Sequence, residues 1–222
     1  MPMPPSRPKT RARIVQASLA LFNEQGERSV TTNHIAAHLG ISPGNLYYHF
    51  RNKQMIIAEL FAEYAASVDD FLRLPEGRAL TVADKTHYLE SLLDAMWRYR
   101  FLHRDLEHLL AADPVLAEDY RQFARRCLAH AQAIYRGFVE AGILCLDEAQ
   151  AEALALNAWI VLTSWVRFLG TVRSDAATLD ESMLRRGLYQ VLALEGGFVS
   201  PQAAPAVQAL YARLHVPLEQ LF

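Results

Sequence analysis

The stretch "TTNHIAAHLGISPGNLYYHF", residues 31–50, decides how the chain is read. Within it "GISPG", residues 40–44, fits G-x-S-x-G, which in hydrolases sets a nucleophilic serine on a strained turn between a strand and a helix. The surroundings argue against that role for Ser42. An elbow needs a strand before its serine, and residues 31–39 read instead as a capped amphipathic helix. The residue after the nucleophile must donate its backbone N–H to the oxyanion, and Pro43 has no N–H. An elbow also belongs to a sheet, and no period-2 alternation occurs anywhere along the chain.

The same residues are accounted for as two short helices joined by a tight turn. Thr31 caps the first, and Val30 packs on Ile35 across that cap. Gly40 ends it in the left-handed conformation. Ser42 caps the second, with Pro43 at the first helical position and Leu46 and Phe50 as its apolar pair. Ala36, Gly40 and Leu46 hold the helix-turn-helix spacing: a small residue where the helices touch, a glycine where φ is positive, and an apolar residue filling the gap with Leu39 and Ile41. Ser42 is then a helix cap near a DNA phosphate or base edge. His34 and His38 stand at a metal-ligand spacing. Ile35 replaces the glutamate of H-E-x-x-H, however, and no third ligand is evident, so neither a metal nor a cofactor is expected.

Outward from this stretch the apolar residues recur at three and four. Ile14, Ala17, Leu21 and Phe22 form one helical face, stopped by Gly26. A fourth helix is expected from about Asn52 to Leu74, broken by "PEG" at 75–77. Further helices are expected near 82–102, 104–111, 114–141, 147–170, 180–195 and 202–214. The chain reads as all-α, with about ten helices: a three-helix head (1–52) and a larger helical body (53–222), joined by helix 53–74.

Composition and charge agree with two unequal parts. Of 222 residues, 52% are hydrophobic, enough for a substantial core. Two cysteines, Cys127 and Cys145, fit a reducing interior better than a disulfide framework. The opening "MPMPPSRPKTRAR" lacks the apolar region of a secretory signal. The longest nearly apolar run, 153–166, is too short to span a bilayer and is interrupted by Asn157, Thr163 and Ser164. A cytoplasmic chain without membrane contact is expected. Net charge is −2, but residues 1–55 carry seven bases against two acids, while the rest carries fifteen bases against twenty-two acids. A basic head on an acidic body suits a nucleic-acid module joined to another unit.

At "LGISPGNLYYHFRNKQMIIAEL", residues 39–60, the sequence resembles the TetR-type (TetR/AcrR) family of bacterial transcriptional regulators. The resemblance spans roughly residues 8–60, with "LYYHFRNK" its strongest cue, and carries no motif beyond residue 75. It implies a homodimeric regulator, a repressor by expectation, that binds a near-palindromic double-stranded operator and is released by a small, largely apolar effector. By position, Ser42, Gly44, Asn45 and Tyr47 on a recognition helix at about 43–49 would face base edges or the groove floor. Thr31, Tyr48, His49 and Lys53 would hold phosphates. The chemistry fits, since Asn45 can read a base bidentately and a tyrosine can meet a thymine methyl or a phosphate. Arg7, Lys9, Arg11 and Arg13 would form a basic arm. For Tyr47 and Tyr48 the alternative is ordinary packing, but neither falls on the Leu46–Phe50 face.

In the body, helix 147–170 is apolar nearly all round and needs cover on every side. Trp159, Leu162 and Trp165, with Leu188 and Leu192 from 180–194, are read as a dimer interface; the alternative is the centre of a monomer core. Trp97, Arg100, Phe101, His103, Phe123 and Asn157 are candidate effector contacts, and core packing remains open for the aromatic ones. No catalytic constellation is evident. The rival to a DNA-binding regulator is a helical interaction protein without DNA binding.

Overall fold

The computed structural model describes residues 10–172, 179–217 and 219. Ten α-helices occur among them: α1 (Thr10–Gln25), α2 (Thr32–Leu39), α3 (Pro43–His49), α4 (Lys53–Phe71), α5 (Val82–Arg98), α6 (Arg100–Ala112), α7 (Pro114–Glu140), α8 (Glu148–Val172), α9 (Glu181–Glu195) and α10 (Ala204–Leu214). The only strand-like pairing among the described residues is one antiparallel bridge, Leu144 with Val199. The all-α reading holds.

Side-chain caps set most starts. Thr31, Ser42, Asn52, Thr81, Asp113 and Asp180 each accept a backbone N–H at the head of a helix, and Pro43 and Pro114 follow two of them. Two boundaries differ from expectation. α4 stops at Phe71 rather than Leu74, because Pro75 disfavours helical backbone in the residue before it. The helix expected over 82–102 breaks at Tyr99, which separates α5 from α6.

Head and body share one core. Ile14, Phe22, Ile35, Leu46 and Phe50 of the head join Ile56, Leu60, Tyr64, Phe101 and Phe123 in a single buried cluster. The head is therefore held by α6 as well as by α4. The Phe22 and Phe101 rings lie 5.3 Å apart. Asn23 spans the same seam: its amide nitrogen donates to the Arg98 carbonyl (2.8 Å), and its oxygen accepts from the Phe101 N–H (3.1 Å). Arg104 donates to the Phe22 carbonyl, and Asp105 accepts from the Glu27 N–H.

α8 packs on α6, α7 and α9. Its contact with α9 is close at Gly187, where a Cβ would lie 2.6 Å from the Trp165 ring. The Trp165 indole N–H reaches the Met183 carbonyl at 2.7 Å. Among the described residues α8 is the one helix long and apolar enough to cross a membrane by length and composition. It is longer than the apolar run that sequence singled out. Deeper in the body, Lys85 pairs with Glu195, both fully covered, and the Tyr135 hydroxyl donates to Glu195 at 2.9 Å.

Candidate nucleic-acid interface and inner cavity

The turn between α2 and α3 is built as its residue types require. Gly40 takes φ 64° and ψ 31°, and its N–H reaches the Ala36 and Ala37 carbonyls. The Ile41 N–H returns to the Ala36 carbonyl at 3.0 Å. Ala36 is fully buried where the helices meet, and a larger side chain there would force them apart. Ser42 Oγ accepts from the Asn45 N–H at 3.2 Å, so the hydroxyl serves as a cap.

α3 buries one side and presents the other. Leu46 and Phe50 are fully covered, while Ser42, Pro43, Gly44 and Asn45 are exposed, and Tyr47 and Tyr48 are 47% and 86% accessible. Large aromatic side chains this open on a well-anchored helix are unusual in a solvated surface and suit a contact face. Tyr47 is oriented by a 3.2 Å hydrogen bond with Thr32, and the Tyr48 and His49 rings meet edge to face at 5.2 Å. A Cβ on Gly44 would meet nothing nearer than Ser42 Oγ at 4.0 Å, so the fold itself does not demand glycine there. Thr31 accepts from the His34 N–H, and His34 Nδ1 accepts in return from the Thr31 N–H, which makes that histidine part of a capping box. No group of potential metal ligands forms among the described residues.

Two basic groups are engaged by neighbours within the chain. The Lys53 ammonium has three donors, and three acceptors inside the head surround it: Glu27 Oε1 (2.6 Å) and the carbonyls of Glu27 (2.9 Å) and Val30 (3.0 Å). It clamps the turn before α2 to the start of α4. Arg11 lies within α1, paired with Glu59 and stacked 4.5 Å over the Phe50 ring, rather than in an extended arm. Arg7 and Lys9 lie outside the described residues.

The body holds an apolar cavity of about 100 Å3 among α4, α5, α6, α7 and α8. Of the expected effector contacts, His103 and Phe123 line it. The other four do not. Phe101 is fully buried against Phe22, Trp97 packs with the α8–α9 cluster under the Arg100 guanidinium at 4.4 Å, and Asn157 is exposed. Trp159 and Leu162, read from sequence as dimer contacts, line the cavity, with Tyr64, Met96 and Cys127. His103 Nε2 lies 3.3 Å from the Tyr64 hydroxyl. Burial drives its pKa down to about 4, so the imidazole is neutral at neutral pH. Burial pushes the Cys127 thiol up to about 12.

The other residues expected at a dimer interface are engaged within the single chain. Leu188 and Leu192 are fully buried within the single chain, facing α5, α8 and α10, and Trp165 is spent on α9. The apolar side of α8 left open is a different stripe. Leu156, Ile160, Phe168 and Val172 recur at helical spacing, with Ile160 51% and Leu156 48% accessible, and Leu194 of α9 is open too.

Comparison with known proteins places these features. A family model described as "Bacterial regulatory proteins, tetR family" matches residues 14–60, and one described as "Bacterial transcriptional repressor" matches residues 63–207. The HTH-type transcriptional repressor KstR2 of Mycolicibacterium smegmatis is 31% identical over 64 residues, covering 28% of this chain and 31% of that protein. The class D tetracycline repressor of Escherichia coli is 36% identical over 61 residues, 28% of each chain. These matches span about a third or less of those relatives. A crystal structure of a TetR-family transcriptional regulator from Marinobacter aquaeolei superposes with a TM-score of 0.86 at 49% identity, covering 94% of this chain and 100% of that one. With the two family models together covering most of the sequence, the chain belongs to the TetR family of bacterial transcriptional regulators.

Proposed function

We propose that this protein is a cytoplasmic homodimeric repressor that reads a near-palindromic operator through α3 and lets go when a small molecule fills the cavity of the body. The observation that carries the DNA-reading part is the two-sided character of α3. Its inner residues are locked by Leu46 and Phe50, while Asn45, Tyr47 and Tyr48 stand open. A rigid helix with an amide and two phenols outward can enter a major groove, and the absent side chain at Gly44 lets the backbone approach. Ser42 and Thr31 sit at helix starts suited to phosphate. His49 is half-buried beside Tyr48, and Lys53 acts by positioning rather than by direct contact.

Two copies would meet along the open stripe of α8 and Leu194, which places two α3 helices about an axis. The head would be residues 1–52, and α4, about 28 Å long, would link it to the cavity. An occupant that moves α4 or α6 then changes the spacing of the two α3 helices. A preference of about 1–3 kcal/mol for the misfitted state lowers DNA affinity some 5–150-fold, and DNA weakens the ligand by the same factor. Selection from a random duplex library at low salt tests the reading. Recovery of an inverted repeat with half-sites one or more helical turns apart is expected, and recovery of no common sequence would refute it.

A further inference from the structure

Three cavities adjoin one another in the body. An outer one of about 200 Å3 opens beside the head and is lined by polar groups of α6 and α8 together with Arg28. A narrow space of about 20 Å3, the neck, adjoins it, and so does the apolar cavity of about 100 Å3. The three adjoin, since His103 and Thr163 border all of them. The neck admits little more than a single file of atoms. The inner walls are apolar, aliphatic at Val68, Leu92, Leu128, Ala155 and Ala158 and aromatic at Tyr64, Phe123 and Trp159.

The outer cavity is not electrically neutral in effect. Arg104 is engaged by Asp105 and by backbone carbonyls of α1, and Arg167 is paired with Glu107. Arg28 makes no hydrogen bond or ion pair with any described residue, although it borders the same space. It sits in the 3-10 turn Glu27–Ser29, which leads into the cap of α2. An uncommitted cation at the mouth, a narrow neck and an apolar end describe one shape of ligand.

We infer that the body binds a single-chain amphiphile whose alkyl tail passes between His103 and Thr163 into the inner cavity and whose anionic head, a carboxylate or a phosphate, is held at the mouth by Arg28 of the DNA-binding head. The neutral His103 imidazole leaves the neck without charge, so discrimination rests on Arg28. The inference deepens the reading of the body as an effector-binding unit. It adds that the ligand touches the head directly.

The test uses the full-length protein without DNA. Sodium octanoate, octyl phosphate, 1-octanol and octylammonium chloride are titrated by calorimetry and by tryptophan fluorescence, Trp159 lying at the cavity wall. Octanoate or octyl phosphate should bind saturably at one per chain, and their ratio identifies the head group. Octylammonium should bind at least about tenfold more weakly. Arg28→Gln should weaken the anions about tenfold and leave octanol unchanged. From butanoate upward, affinity should rise about fourfold per methylene until the cavity is filled, and Ala158→Leu should flatten that rise. Should Ala158→Leu fail to fold, the chain-length series on the wild type decides the point. Equal binding of octanoate and octylammonium, an unchanged octanoate affinity in Arg28→Gln, or no chain-length dependence would overturn the inference. None of these arms involves DNA, so their failure is separate from a failure to select an operator.

Discussion

The guanidinium of Arg104 in α6 donates to the carbonyl of Phe22, at 2.6 Å, in the last turns of α1. It thereby meets a backbone oxygen of the DNA-reading head from the helix that borders the cavity. Together with Asn23 and Asp105 it makes α6 a second connection beside α4. Arg104→Ala should destabilise the protein by about 1.5–3 kcal/mol in urea unfolding, as expected for a charge-assisted hydrogen bond. Hydrogen exchange should speed up in α1 and the turn before α2 more than in α9. Uniform acceleration across the chain would show that Arg104 does not join these parts.

Ser42 caps α3 through its Oγ. Ser42→Ala should cost about 1 kcal/mol through loss of the Oγ bond to the Asn45 N–H. The wild-type protein should resist labelling by a fluorophosphonate probe. Labelling at Ser42 would reopen the hydrolase reading.

The buried pair Lys85–Glu195 gives a two-part expectation. Glu195→Ala should destabilise by about 3–5 kcal/mol, because it leaves a buried ammonium uncompensated. The double variant Lys85→Met, Glu195→Leu should recover most of that loss. Denaturant midpoints of the three proteins measure it, and a double variant as unstable as the single one would contradict it.

Acid dependence follows from His103. Its pKa is held at about 4 in the folded chain against an ordinary 6.5, through burial. The unfolded chain therefore takes up the proton first. The contribution is fully present above about pH 6.5 and falls away, by about 3 kcal/mol, as the pH drops to about 4. Nuclear magnetic resonance titration of the His103 ring checks this directly, and a value near 6.5 in the folded protein would contradict it.

What could be read from sequence follows the range of the interactions. The α2–α3 turn was legible because all of its determinants lie within residues 30–50: two caps, one left-handed glycine, and Ala36 against Leu46. The seam between head and body was not. Asn23 meets Arg98 and Phe101, and Phe22 meets Arg104, across 75 to 82 positions, and no local pattern pairs them. Helices with apolar residues on several sides posed a related difficulty. The sequence of α8 marks it for cover all round without saying what covers each side. Gly187, which seats Trp165, settles one side. Trp159 and Leu162 face the cavity, and the open stripe falls to Leu156, Ile160, Phe168 and Val172. Lys53 shows the limit of reading charge alone, since its ammonium is surrounded by acceptors of the head.

The central claim is that the open side of α3 reads base sequence, and Asn45 tests it most directly. Affinities of wild type and Asn45→Ala are measured for the selected operator and for every single-base variant of one half-site, at fixed salt. The account expects the wild type to discriminate at one base pair by about 1–3 kcal/mol more than the variant does, with preferences elsewhere and the salt slope unchanged. An identical preference profile in the two proteins, or a uniform loss at every position, would contradict it.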